Sequence, residues 1–464
     1  MDYRIERDTL GEVKVPKDAY YGAQTQRAKE NFQVSGITLQ RGFIRAQGIL
    51  KAAAAKSNVK LAQLDKKIGD AIAKAAKEVS ERKLDQEFVV DVYQAGAGTS
   101  QNMNANEVIA NRAIELLGGR KGDYSLVHPN DHVNMAQSSN DTIHVATHIA
   151  ALEAIERELL PALADLEKAL EKKAGEFKEV IKPGRTHLQD AVPITLGQEF
   201  SGYATMIGKG IKRIKHAGDA LRELNMGATA VGTGLNAHPN FGKLAVEEIN
   251  SALGLGFRMA ENPFEAAQNM DASVEVSGAL RVLAVSLIKI ADDLRLLSSG
   301  PRTGLGEIEL PAVQPGSSIM PGKVNPVMAE MLNMAAFQVM GNDAAIAFAA
   351  QAGQLELNVM MPMIAYNLLN SIGVLTGAVR AFTDRCVKGI TADGERCREL
   401  AEQSLALATA LAPRIGYEKA AKLAQKAYAK EKTVREVAIE EGILSKKEAD
   451  EILDLLKMTR KKGK

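Results

Sequence analysis

ASVEVSGALRVLAVSLIKIADDLRLLSS, running from Ala272 to Ser299, is apolar around most of a helical circumference. A helix of that character is buried among other helices. The same three- and four-residue apolar spacing recurs in Thr147–Ile181, Gln198–Glu223, Met328–Ala350 and Leu355–Phe382. Pro161 is expected to bend the first of these or to start a new helix, because proline has no backbone donor. Gln198 sits in a polar entry to its helix. Helices of about 25 to 30 residues reach roughly 40 Å at about 1.5 Å per residue. Each carries more apolar surface than one neighbour covers, so a bundle is required. A bundle so apolar along its middle is expected to continue across the subunits of a symmetric homo-oligomer.

The composition agrees with a helical protein. Of 464 residues 46% are hydrophobic but only 4% aromatic, Trp is absent, and Val/Thr-rich strand blocks are scarce. The length suggests two or three domains. Residues 1 to 136 mix short helices with turns such as Gly118-Gly119, residues 137 to 393 hold the long helices, and residues 394 to 464 alternate short amphipathic helices punctuated by Gly442 and Ser445. With 58 Lys+Arg against 57 Asp+Glu, the net charge of +1 gives no electrostatic footprint for nucleic acid or an anionic membrane. The basic tail KMTRKKGK reads as a solvated, frayed end. No charge-free apolar run is long enough to span a bilayer. The start, MDYRIERDTLGEVKVP, lacks a signal-peptide apolar region, and Cys386 and Cys397 are too few for a disulfide framework, so a cytoplasmic chain is expected.

Several familiar signals are outweighed by their context. Gly232-Thr233-Gly234-Leu235-Asn236-Ala237 loosely matches a dinucleotide fingerprint, but no strand precedes it, and a turn between helices is expected. Gly316 to Lys323 (GSSIMPGK) resembles a phosphate loop with one residue too many between its glycines, and Val324 stands where a Mg²⁺-binding hydroxyl is needed. The pairs His128/His132 and His144/His148 have helical spacing but no evident third ligand, and His128 precedes Pro129, which disfavours helix there. No metal site is expected.

Four stretches remain polar in an otherwise apolar helical chain: Gly96-Ala97-Gly98-Thr99-Ser100-Gln101-Asn102-Met103-Asn104, opening a helix over Asn106–Leu117; Gln137-Ser138-Ser139-Asn140-Asp141; Gly184-Arg185-Thr186-His187-Leu188-Gln189-Asp190; and Gly316-Ser317-Ser318-Ile319-Met320-Pro321-Gly322-Lys323-Val324-Asn325-Pro326. Each reads as a loop or helix start with free N–H groups beside hydroxyl or amide side chains, and such places bind carboxylates. Singly, Ser-Ser-Asn-Asp is an ordinary N-cap cluster and His187 a surface histidine. Together they offer donors, one cation (Lys323) and one proton carrier (His187), which suits a small dicarboxylate.

GSSIMPGKVNP, with GRTHLQD and NDHVN, resembles the signatures of the fumarase/aspartase superfamily, and the resemblance extends over essentially the whole chain, from RIERDTLGEVKVPKDAYYGAQTQRA to ELNVMMPMIAYNLL. It implies a mainly α, three-domain fold whose central bundle forms the core of a homotetramer, with each active site assembled from three subunits and no metal or organic cofactor. It also implies anti elimination across the C2–C3 bond of a succinyl-type substrate to give fumarate. By that resemblance Ser317 is the general base. Lys323, Asn325 and Ser318 hold the carboxylate on which charge develops, and His187 paired with Glu330 handles the leaving group. The run Gly300–Gly316 would supply a hinge for a closing loop. Ala97, Gly98, Thr99, Ser138, Ser139, Asn140 and Thr186 match substrate-binding positions, and His128, Pro129, Asn130 and Asp131 match a second dicarboxylate site.

The motifs divide over the leaving group. His128-Pro129-Asn130-Asp131 and Ser138-Ser139-Asn140-Asp141 look like class II fumarase, where aspartases usually have Ser-Thr-Asn-Asp at the latter. Gly96-Ala97-Gly98-Thr99-Ser100 looks more like aspartase, and Ala97 removes a hydroxyl common in fumarases. No new carboxylate beside these motifs recognises an ammonium. The expected reaction is therefore loss of water from L-malate, with loss of ammonia from L-aspartate as the alternative. A non-catalytic relative is disfavoured by retention of Ser317, Lys323, Asn325, His187 and Glu330, and a lyase for a larger succinyl substrate by the absence of a basic or aromatic pocket.

Overall fold

The computed structural model describes residues 2–460. Met1 and the last four residues of the basic tail lie outside the described residues. A hairpin opens the chain, β1 (Tyr3–Asp8) paired antiparallel with β2 (Gly11–Pro16). Then come α1 (Ala23–Asn31), α2 (Arg41–Lys60), α3 (Lys66–Ser80), α4 (Thr99–Leu116), α5 (Ser139–Ala154) and α6 (Leu160–Glu176). A second hairpin, β3 (Ile181–Thr186) and β4 (Gln189–Thr195), leads into α7 (Leu196–Gly218), α8 (Phe241–Leu253), α9 (Pro263–Gln268), α10 (Asp271–Leu297), α11 (Val327–Ala350) and α12 (Met361–Arg385). Short helices follow to Met458. The protein is mainly helical.

The chain forms two compact units, residues 2–161, 212–284 and 336–376 in one, and residues 162–211, 285–335 and 377–460 in the other. Every boundary between them falls inside a long helix. The first unit has a core of α2, α3 and α4 residues around Ile72, Ala75, Val108 and Ile109. Gly48 of α2 brings two helices close: a Cβ there would meet Ala76 O at 2.7 Å and Ser80 N at 2.8 Å. The second unit gathers Leu407, Leu423, Val434, Val437 and Leu453 with Ile181 of β3. Ser445 caps the helix Lys446–Ile452 in a capping box with Glu448, and Gly442 turns the chain at φ 66° before it.

Several details differ from the sequence reading. At Pro161 a new helix does start, one residue earlier and by way of a π turn. The chain widens into a π turn at Ile155–Leu159 and continues as α6, which accommodates the missing donor. The hairpin β3–β4 replaces the expected end of the Thr147–Ile181 helix. Residues 355–360 are not helical: Asn358 Nδ2 caps Ala349 O at 3.0 Å and Ala350 O at 2.9 Å, and α12 starts only at Met361. Gln198 lies inside α7, not before it, its Oε1 accepting from Thr195 N at 3.0 Å and its backbone N–H donating to Thr195 Oγ1 at 3.1 Å. That helix ends at Gly218 rather than Glu223. Within residues 1–136, α2 is long, at 20 residues. By length and composition Met361–Gly389 could cross a membrane, but 67% of its most apolar window is buried in the protein.

His144 and His148 stack inside the first unit with ring centroids 4.1 Å apart, and His148 Nδ1 lies 2.9 Å from Glu223 O. Burial pushes His148 down to about 4 and His144 well below its usual range. Among the described residues no group of three His, Cys, Asp or Glu is arranged to hold a metal. A histidine whose folded value is depressed loses stability for the protein as pH falls from its ordinary value through the folded one, because the unfolded chain takes the proton first. Asp141, raised to about 7 by burial, works in the opposite sense over part of that range. His148→Gln should therefore remove about 2 kcal/mol of the loss of stability between about pH 7 and about pH 5. Urea unfolding at both pH values measures it; an unchanged pH slope would mean that His148 is not held neutral.

Candidate active site

The sequence-predicted residues fall into two groups, one in each unit. In the first unit, α4 begins at Thr99, seven residues before the expected start. The chain reaches it through a tight turn in which Ala97 has φ 56° and Gly98 φ 70°. Gly98 lies against Ile143 of α5, where a Cβ would meet Ile143 Cγ1 at 2.8 Å, so the left-handed turn and the close approach both call for glycine. Ala97 is buried, and its N–H donates to Val359 O at 3.2 Å. Thr99 is exposed.

Ser138 is the N-cap of α5, in a capping box with Asp141. Its Oγ accepts from Asn140 N at 3.2 Å, and its N–H donates to Asp141 Oδ1 at 3.0 Å. Asn140 Nδ2 donates to Ala230 O at 2.7 Å, and Ser139 Oγ accepts from Asn102 Nδ2 at 3.2 Å. Thus Asn102 of α4 ties the Thr99 helix to the Ser138–Asn140 turn. Gly232 to Ala237 is a turn ahead of α8, as expected, but a two-residue strand, Glu223–Leu224, precedes it and pairs in parallel with Arg258–Met259 after α8.

The residues His128 to Asp131 enter a π-helical turn, Pro129–Val133. His128 itself is extended, as the following proline dictates, but the turn is helical immediately after it. Its Nδ1 accepts from Asn130 N and Asp131 N, both at 3.2 Å, which in the neutral ring leaves the proton on Nε2. Asp131 is exposed and Pro129 buried. His132 Nδ1 accepts from His128 N at 2.9 Å. Both rings therefore use Nδ1 on backbone.

In the second unit, Thr186 and Gln189 close a two-residue hairpin whose tip is His187 and Leu188. Both tip residues have positive φ, 56° and 59°, the conformation of a turn matched to strand twist. GRTHLQD is thus a hairpin, not a loop or helix start, and His187 is presented at its exposed tip. Beneath it Glu307, 0% exposed, accepts from Arg185 Nη2 at 2.9 Å and lies 3.3 Å from Lys182 Nζ. Glu199, raised by burial, lies 3.4 Å from the same ammonium. This buried ionic cluster anchors both β3 cations and holds the hairpin.

Ser317 lies half-buried in the loop before α11. Two backbone amides converge on its Oγ, Ile319 N at 3.3 Å and Met320 N at 2.9 Å. Met320–Lys323 is a turn closed by Lys323 N on Met320 O at 3.2 Å, with Pro321 and Gly322 (φ 82°) at its centre. Asn325 Nδ2 donates to Gly316 O at 2.6 Å and closes the loop on itself. Ser318 and Lys323 are exposed, and Glu330 lies in the first turn of α11. No hydrogen bond or ion pair joins His187 to Glu330 within the chain. Cys386 and Cys397 are buried, which pushes both thiols up to about 12 and leaves them unreactive.

One residue beside the site, Lys51, escaped the sequence reading, and Asp141 was read only as part of an N-cap cluster. Lys51 of α2 is fully buried, and Asp141 is buried in the α5 cap, where Oδ2 accepts from Thr229 N at 3.0 Å. Desolvation lowers Lys51 to about 7 and raises Asp141 to about 7. The one available signal was a lysine and two amides, Gln47 and Asn58, recurring on one face of an alanine-rich helix.

The structure thus places hydroxyl, amide and imidazole groups at helix starts and turns of a mainly helical chain. The sequence profile of the family described as Lyase matches residues 11–341, and that described as Fumarase C C-terminus matches residues 407–460. The chain belongs to the fumarase/aspartase superfamily of lyases. It is 52% identical over 458 residues to an aspartate ammonia-lyase of a Bacillus species, covering 99% of this chain and 98% of that one. It is 54% identical over 460 residues to a class II fumarate hydratase of Halobacterium salinarum, covering 99% and 98%. The crystal structure of recombinant class II fumarase from Schistosoma mansoni superposes with a TM-score of 0.95 at 42% identity, covering 99% of each chain.

The Ser317 loop has a built-in weak point for experiment. A Cβ on Gly316 would stand 1.9 Å from Lys323 O and 2.7 Å from Val324 Cα, both backbone, so alanine there cannot keep the loop closed. Gly316→Ala should lower turnover by at least about a hundredfold, the scale of a misplaced catalytic group, with little change in melting temperature. Wild-type turnover in that variant would show that the closed loop is dispensable.

Proposed function

We propose that the protein is a fumarate hydratase, removing water from L-malate by anti elimination and running the reaction in reverse. The convergence of two amides on Ser317 Oγ carries the reading. A serine hydroxyl is a poor base in water, but an alkoxide facing preorganised N–H dipoles is stabilised, and Ser317 so placed can take the C3 proton. Removing that proton builds a second negative charge on the adjacent carboxylate. Lys323, Asn325 and the Ser318 hydroxyl and amide are the groups we assign to hold it. His187, with Glu330 fixing its tautomer, donates a proton to the departing hydroxyl. Thr99, Ser138, Ser139, Asn140 and Thr186 bind the two carboxylates, with Ala97 and Gly98 shaping the turn, and closure of the loop excludes water during reaction. His128 to Asp131 form a second dicarboxylate site, its Nε2–H and exposed edge available to an anion. The chemistry is assigned to these side chains alone, with no metal or cofactor.

Since His187 and Glu330 do not meet within one chain, we assign the complete site to a homotetramer in which neighbouring subunits supply the groups. The face of α11 supports this: Met334, Phe337 and Phe348 are 65%, 56% and 71% exposed at helical spacing, with Val285 of α10 53% exposed. Such a stripe on a long helix suits burial against the same helices of other copies.

Aspartate ammonia-lyase is the alternative, supported by the Gly96-Ala97-Gly98-Thr99-Ser100 turn and by the Bacillus relative. Ultraviolet absorbance of fumarate decides between them, with L-malate and L-aspartate offered separately to metal-free protein. A rise with malate alone is expected; a rise with aspartate alone, with ammonia released, overturns the hydratase. Ser317→Ala should reduce kcat by at least about a thousandfold while the tetramer persists in light scattering. Retention of most activity would remove Ser317 as the base.

A further inference from the structure

α2 is an alanine-rich helix, yet Gln47, Lys51 and Asn58 repeat along one buried stripe of it. Lys51 is 0% exposed. An ammonium taken out of water costs several kcal/mol unless its donors are satisfied, so what it meets is informative. Lys51 Nζ donates to Asn134 Oδ1 and Gln137 Oε1, each at 3.0 Å. Neither partner belongs to a helix packed against α2. Both lie in the short turn that ends at the Ser138 cap.

That turn is under strain. Ala136 has φ 61°, a left-handed conformation that costs a residue with a Cβ about 1–2 kcal/mol. Such a conformation persists only where its surroundings over-determine it. Here they do. Gln137 Nε2 donates back to Val133 O and Met135 O, both at 3.0 Å, and Asn134 Nδ2 donates to Gln137 O at 3.1 Å. Asn58 Nδ2 donates to Met135 O at 3.1 Å. Asn134 Oδ1 accepts from Asn102 Nδ2 at 3.1 Å and Asn106 Nδ2 at 3.2 Å as well as from Lys51. The same Asn102 amide reaches Ser139 Oγ. Lys51 is thus linked through Asn134 and Asn102 to a side chain of the anion-binding turn.

We propose that Lys51 is a positioning residue for substrate carboxylate binding: its buried ammonium locks Asn134 and Gln137, and through them sets the orientation of Ser138, Ser139 and Asn140. Its charge also adds to the positive end of α5, the direction from which a carboxylate is attracted. Asp141, in the same cap, is the carboxylate facing that charge, and burial draws its value up toward neutrality. The inference rests on the assignment of Ser138–Asn140 to substrate binding.

A side chain that orients a carboxylate site acts on ground state and transition state alike, so its loss raises KM and leaves kcat. A lysine that merely filled space would be replaced by methionine without effect on either, since the aliphatic stem is matched in length. The test is Lys51→Met in the full chain. Steady-state kinetics use whichever of malate or aspartate the wild type consumes, and succinate, an unreactive dicarboxylate, serves as the calorimetric probe. KM and the succinate Kd should both rise about tenfold, with kcat within about threefold and the melting temperature and assembly retained. Unchanged KM and Kd overturn the proposal, as does a fall in kcat alone. Should Lys51→Met fail to assemble, Gln137→Ala removes one acceptor of the ammonium and two of the bonds that pin the strained turn. It should weaken succinate binding at least about threefold, and unchanged binding there also overturns the proposal. A wild type that binds succinate but turns over neither substrate overturns the hydratase and leaves the Lys51 comparison intact. Failure of the wild type both to bind succinate and to turn over malate or aspartate overturns both.

Discussion

Helices that approach closely exclude water, and a polar group left between them must find its partner inside the protein. That requirement organises the first unit. Gly48 lets α2 lie within backbone reach of α3, and alanines line much of the remaining contact. Into this dry surface the chain places Gln47, Lys51, Asn58, Asn102, Asn104 and Asn106, all buried. Several of their donors go to turns: Asn104 donates to Glu87 O at 2.8 Å, Asn58 to Met135 O, and Lys51 to Asn134 and Gln137, while Gln47 pairs with Gln101 of α4. The irregular segments that carry the candidate chemistry are thereby fixed from below by regular ones.

The same logic operates in the second unit with charges in place of amides. Glu307 is buried without access to water, and Lys182 and Arg185 reach it from one strand of the His187 hairpin. Burying three charges is not favourable for its own sake. It has a positional consequence, because a hairpin with an exposed tip has little apolar surface to hold it. Rigid anchoring under a polar tip is the arrangement a proton-transfer group needs, since misplacement by even about 1 Å is costly to catalysis.

How far the sequence disclosed this follows from the range of each interaction. The long helices were legible because apolar periodicity is a local signal repeated many times over. Their ends were less so: Leu355–Met360 reads as helix by composition, but Asn358 caps the preceding helix and claims the backbone there. Pro161 signalled a bend or a new helix, and α6 does begin beside it, after a π turn the sequence does not announce. The hairpin at His187 was hidden because its strands are short and its tip is His-Leu, not the Asn-Gly that marks such turns. Ser138 was readable as an N-cap from Ser-Ser-Asn-Asp alone. Lys51 was not, because sharing a face with Gln47 and Asn58 does not say what the lysine meets; only the fold brings Asn134 and Gln137 to it.

The two groups of candidate residues differ in how they are held, and this bears on their chemistry. Ser138–Asn140 are built into a hydrogen-bonded cap on a buried helix, which suits the constant task of gripping a carboxylate that does not change during reaction. Ser317, Ser318 and Lys323 belong to a loop closed mainly by its own bonds, Asn325 to Gly316 and Lys323 to Met320, with exposed flanks. A segment so weakly tied to its surroundings opens at little free-energy cost. Under the proposed function, closure of this loop lets the Ser317 amides and the Lys323 ammonium meet charge only once water is excluded. A rigid cap and a compliant loop suit the proposed elimination, in which charge builds on one carboxylate only.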